Sequence, residues 1–147
     1  MAPFTFRLET LWKLRVADRQ QRREELAEAL EAETLLQTRK EEMGSELKEL
    51  RKRRAVVSQA GEIDVDALTQ SHRYELITQA QIQLLDQQAA QLAVEKQRRR
   101  QALVEAEREV KTLEKLLEKQ YAEYVFEEQK REQKELDEIA GRRVPRG

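Results

Sequence analysis

The sequence predicts an all-α protein in which two long helices fold back on each other as an antiparallel coiled-coil hairpin. Composition is the first reason. Charged residues make up 39% of the 147 residues and aromatics 5%. That leaves too few large apolar side chains for a compact core, but enough for a narrow helical seam. Spacing is the second. Apolar residues recur at alternating threes and fours for about six heptads, which argues for a coiled coil over the disorder such a charged chain could also adopt. The third is a single convincing interruption, Ser58-Gln59-Ala60-Gly61-Glu62-Ile63-Asp64-Val65-Asp66. Residues 1–147 are therefore read as one coiled-coil domain.

Helix 1 is expected over about residues 4–59, started by Pro3. At the α-helical rise it would be ~80 Å long. Its apolar positions include Leu8, Leu11, Leu26, Ala29, Leu36, Met43, Leu47, Leu50 and Val57, with Glu33, Lys40 and Arg54 as polar intruders. Arg15–Arg23 offers almost nothing to a seam. Gly44 is isolated in helical context, and the helix is expected to run through it at a cost of ~1 kcal/mol.

The turn is expected over about residues 60–64. Gly61 can take the left-handed conformation that ends a helix. Asp64 can cap the next one, with Asp66 in the first turn, where negative charge suits the dipole. Ile63 and Leu68 then have the spacing of a hydrophobic staple.

Helix 2 is expected over about residues 65–140, capped by Gly141, with a basic tail at 141–147. Its seam reads Ile82, Leu85, Ala89, Leu92, then Lys96 and Arg99, then Leu103, Ala106, Val110, Leu113, Leu117 and Tyr124. Helix 2 outruns helix 1, so about 15–20 residues near its C-terminus should overhang.

A hairpin centred near residue 62 pairs positions whose numbers add to about 124. At that register Glu9 faces Lys115, Arg15 faces Glu109, Arg19 faces Glu105, Glu25 faces Arg99 and Glu28 faces Lys96, while Lys13 against Lys111 goes the wrong way. Exposed pairs contribute little energy, so their use is to fix register. Apolar residues agree: Leu50 with Tyr74, Leu47 with Ile77, Leu30 with Val94, Leu11 with Leu113. Most of the aromatics lie in two windows, Phe4–Trp12 and Tyr121–Phe126, which the fold-back brings together. These windows read either as a clamp on fraying ends or as a partner-binding tip.

Nothing in the sequence points to catalysis or to a cofactor. The one histidine, His72, has no second histidine or cysteine to share a metal. There is no cysteine, and the glycines form no phosphate loop. Net charge is −1, and the runs Arg51–Arg54 and Arg98–Arg100 lack neighbouring aromatics to stack bases. They suit a solvated face or an acidic protein better than nucleic acid. No stretch reaches the ~20 apolar residues of a membrane span, and Met1–Arg15 lacks a signal-peptide core, so a cytoplasmic protein without membrane insertion is expected. Such a hairpin is by default an interaction device: a lever, spacer, adaptor or shaft. A generic coiled-coil scaffold that homodimerises through the same seam is the alternative.

Phe4-Thr5-Phe6-Arg7-Leu8-Glu9-Thr10-Leu11 and Glu132-Gln133-Lys134-Glu135-Leu136-Asp137-Glu138-Ile139-Ala140 resemble the two ends of the flagellar export protein FliJ family, related to YscO-type proteins of virulence type III secretion. The resemblance implies a coiled coil similar to the central stalk of rotary ATP synthases. It implies a non-enzymatic part in flagellar protein export, at the cytoplasmic side of the inner membrane. It also implies three partners: the hexameric export ATPase (FliI-like), an export gate protein (FlhA-like) and export chaperones. On that resemblance Phe4, Arg7, Leu8, Gln133, Lys134 and Asp137 are candidate ATPase contacts. Tyr74 and Ile77 are candidate gate contacts.

Overall fold

In the computed structural model, residues 3–59, 61 and 64–143 are described. Helix α1 spans Glu9–Gln59 and helix α2 spans Val65–Arg143, and they pair antiparallel in an all-α hairpin. No strand occurs among the described residues. The seam is thin. Ala29, Met43, Leu47, Ala106, Val110 and Leu113 are its buried apolar residues.

The turn follows from local chemistry. Gly61 has φ +84°, in the region where a side chain would be strained. Asp64 Oδ1 accepts the backbone N–H groups of Asp66 (3.1 Å) and Ala67 (3.4 Å), two donors with no partner inside α2. The Leu68 amide donates to the Asp64 carbonyl at 3.0 Å, the first turn of the helix. The staple partner Ile63 lies outside the described residues.

Both outer helix ends differ from expectation. α1 begins at Glu9, not Phe4. Residues 3–6 are non-helical, and a turn closes through the Glu9 amide donating to the Phe6 carbonyl at 3.1 Å. Phe4 instead lays its ring against two tyrosines of α2, a contact that replaces the missing first turns. At the other end α2 continues through Gly141 to Arg143. A lone glycine costs a helix only ~1 kcal/mol, and Arg142 and Arg143 in the last turn suit the helix dipole. The next strong breaker in the sequence is Pro145. α1 is also continuous through both the Arg15–Arg23 patch and Gly44.

The chain divides into two units: one of residues 1–21 with 103–147, the other of residues 22–102. In the first, Ala106, Val110 and Leu113 form the buried stripe of α2, and Arg15 reaches Glu109 at 3.1 Å, on the predicted register. The rings of Phe4, Tyr121 and Tyr124 lie together with centroids 5.3–6.4 Å apart. Beyond them, every residue from 129 to 143 is exposed.

In the second unit the three polar intruders of α1 all find opposite charges on α2. Glu33 meets Lys96 (2.7 Å), Lys40 meets Asp86 and Arg54 meets Glu75. These pairs lie two to five residues beyond the predicted register. Lys96 therefore takes Glu33, not Glu28, which lies within 3.8 Å of Arg99. Arg99 does meet Glu25, but by donating to its backbone carbonyl at 2.6 Å. Long side chains choose among acceptors a turn apart, and residue numbers alone cannot rank them.

The start of the α2 seam also needs correction. Ile77 is exposed (57%) and does not pack into the seam opposite Leu47, while Tyr74 (48% exposed) lies at the seam's edge, lining a depression with Leu50. Glu75 and Thr78 are buried in their place. Counting back from Ile82 by four and then three reaches these two residues. Leu30 and Val94 are likewise exposed, as is Ala89.

Candidate interaction surfaces

Two surfaces carry the sequence-predicted contact residues, one in each unit. In the first, Phe4 is half-buried between Tyr121 (ring planes at 75°) and Tyr124 (47°). Edge-on and tilted aromatic contacts of this kind add ~0.5–1.5 kcal/mol beyond their buried area. Leu8 is half-buried and its carbonyl accepts the Trp12 amide at 2.9 Å; Arg7 is exposed. Gln133, Lys134 and Asp137 all lie on the exposed end of α2, where Gln133 Nε2 donates to Asp137 Oδ1 at 3.1 Å. By helix rise, Gln133 is ~13 Å along α2 from Tyr124. The six candidates thus fall into two groups, Phe4–Leu8 beside the tyrosines and Gln133–Asp137 farther along α2.

That last stretch bears a shallow concavity lined by Phe126, Gln129, Lys130, Gln133, Lys134 and Asp137. Phe126 is 63% exposed, and Leu136 and Ile139 continue the apolar positions at roughly half exposure. Nothing from α1 covers them, and a helix with a bare apolar edge is suited to packing against another protein. Trp12 Nε1 and Arg19 Nε are buried donors without an acceptor.

In the second unit, Tyr74 lines a depression with Ser45, Glu46, Glu49, Leu50 and Arg53, and its hydroxyl reaches Glu46 Oε2 at 3.4 Å. Ile77 lies three residues on with its side chain open to solvent. Between them sits Glu75, which residue-by-residue reading missed. Arg51 Nε donates to its Oε1 at 2.9 Å and Arg54 Nη1 donates to Oε2. These hydrogen bonds, Arg54 first, hold the Glu75 carboxyl below its ordinary range against the opposing effect of burial. The signal was present in the sequence: Arg54 stood in the seam and required an acid opposite.

Among the described residues no cluster of three or more His, Cys, Asp or Glu side chains could hold a metal. His72 is exposed on α2. No helix among them is long and apolar enough to cross a membrane.

No curated protein and no solved structure matches the chain significantly. A family model described as "Flagellar FliJ protein" matches residues 4–147, essentially the whole chain. The match covers the extended Phe4 segment, both helices and the exposed end of α2, and so the chain belongs to the flagellar FliJ protein family, a component of flagellar protein export.

Proposed function

We propose that this chain is a non-enzymatic stalk and adaptor of the flagellar type III export apparatus. The exposed end of α2, with the Phe4–Tyr121–Tyr124 cluster behind it, enters the hexameric export ATPase (FliI-like) and promotes its activity. One observation supports this reading: residues 129–143 form fifteen consecutive helical positions, every one of them exposed. A bare helix bearing Phe126, Leu136 and Ile139 in a folded protein invites a partner. Phe4, Arg7, Leu8, Gln133, Lys134 and Asp137 are its contact residues. Around Tyr74 and Ile77 the second unit contacts the membrane-bound export gate (FlhA-like), and export chaperones are handed over in the same assembly. The protein works on the cytoplasmic face of the inner membrane without inserting into it.

The scaffold alternative, parallel homodimerisation through the seam, is disfavoured by the seam's own charges. An in-register parallel pair would set Glu33, Lys40 and Arg54 of α1 each against its own copy. Like charges at such positions select against that pairing.

The test uses the purified full chain with its cognate export ATPase. Co-elution and a rise in ATP hydrolysis are expected. The double variant Gln133→Ala/Lys134→Ala, exposed and therefore expected to fold normally, should lose most of the stimulation. No co-elution and no stimulation by the unmodified chain would remove the ATPase role.

A further inference from the structure

In a chain that is 39% charged, the nineteen residues from Leu76 to Val94 of α2 contain one charge, Asp86. That charge is occupied by Lys40 of α1. On the face of α2 turned away from α1, Ile77, Ala80, Leu84, Gln87, Gln91 and Val94 are all exposed. Their spacing is three, four, three, four, three, which is a coiled-coil stripe with no helix on it. Ile77, Leu84 and Val94 are 57%, 54% and 64% exposed. Stepping outward at the same spacing brings Arg73 at one end and Arg98 at the other.

The spacing reads the same in both directions. An antiparallel second copy would place Ile77 on Val94, Ala80 on Gln91 and Leu84 on Gln87, each contact occurring twice about a two-fold axis. Every layer sets an aliphatic or small side chain against an aliphatic or amide one, and no charge is desolvated. The arginines at the two ends would meet each other and stop the contact from extending. The two Gln positions can hydrogen-bond at the rim, and Ala80 lets the helices approach. A stripe of eighteen residues is ~27 Å long, so the interface is at the small, transient end of the range.

We infer that a second copy of this chain docks antiparallel on the uncharged face of α2 between Ile77 and Val94, giving a weak, salt-insensitive dimer. The inference does not depend on the proposed ATPase or gate contacts. It does predict that self-association and any contact made through Ile77 exclude each other.

Sedimentation equilibrium of the full chain tests it, from low micromolar to near-millimolar concentration at low and high salt. The expected mass rises above 17.4 kDa toward twice that value at the upper concentrations, equally at both salts. Ile77→Glu alone and Val94→Lys alone should each weaken association by tenfold or more with helicity unchanged. Combined, Ile77→Glu/Val94→Lys should restore it, now with salt sensitivity, because the antiparallel register brings the new charges together. A monomer at every concentration overturns the inference. So does a dimer that both single variants leave intact, which would place the contact elsewhere. A double variant no better than the singles would overturn the antiparallel register.

Discussion

Glu75 is the residue on which the second unit turns. It is a carboxylate in a seam position, and both of its oxygens are taken by arginines of α1. Burial alone would raise its pKa; the Arg54 and Arg51 hydrogen bonds overcome that and lower it. Because the folded value lies below the ordinary 4.5, the stabilising contribution is fully present above that pH. It is lost as pH falls through the lower folded value. Thermal melts from pH 7 to pH 3 should therefore show an acid-dependent drop. Glu75→Gln should melt several degrees lower at pH 7 and show a shallower acid drop. Glu75→Ala should be worse at pH 7, since it also leaves Arg54 half-buried without its acceptor. An acid drop of unchanged size in both variants would assign it to other carboxylates. Glu75 was legible only by counting the heptad backward through polar positions. Residue type favours Tyr74 and Ile77 instead, but Ile77 is open to solvent and Tyr74 lies at the seam's edge, its hydroxyl on Glu46.

Two glycines make the helices testable as elements, because the same substitution should act in opposite directions. Gly44 lies inside α1, and a β-carbon there would meet nothing within 4 Å. Gly44→Ala should stabilise the protein by ~0.5–1 kcal/mol. Gly61 also has open space around it, but its φ of +84° is costly for any residue with a side chain. Gly61→Ala should destabilise by ~1–2 kcal/mol. Urea midpoints of the two variants read both signs directly. A stabilised Gly61→Ala protein would mean that the turn can be replaced by continuing helix, and the account of the fold-back would fail. At this scale much could be read in advance. Asp64 as cap and the seam from Leu92 to Leu117 follow from residue type and spacing, with Ala89 the exception before it. Helix ends were less legible: Phe4 leaves the helix for a tertiary contact with Tyr121 and Tyr124, and Gly141 stays helical because a lone glycine is only a weak breaker.

For the molecule as a whole, stability and partner binding reside in different residues, and this separation can be measured. The charges facing across the seam chiefly specify which residues pair, and Glu33–Lys96, Lys40–Asp86 and Arg54–Glu75 do so at positions where apolar residues would have allowed slippage. Burial at Ala106, Val110 and Leu113 holds the first unit. Residues 129–143 are exposed throughout, and the side-chain hydrogen bonds from Arg131 to Glu128 and from Gln133 to Asp137 run along α2. A chain ending at Glu128 should therefore lose helical signal in proportion to the residues removed. Its melting midpoint should remain that of the full chain within error, with the Phe4–Tyr121–Tyr124 cluster retained. If that end is the surface that enters the export ATPase, the same truncation should abolish stimulation of hydrolysis. Phe4→Ala should do the reverse in kind, lowering the midpoint by loosening the ring cluster while leaving the exposed end of α2 in place. A truncated chain that melts markedly lower would show that the end of α2 packs on something within the protein. A truncated chain that still stimulates the ATPase would move the contact back to the aromatic cluster.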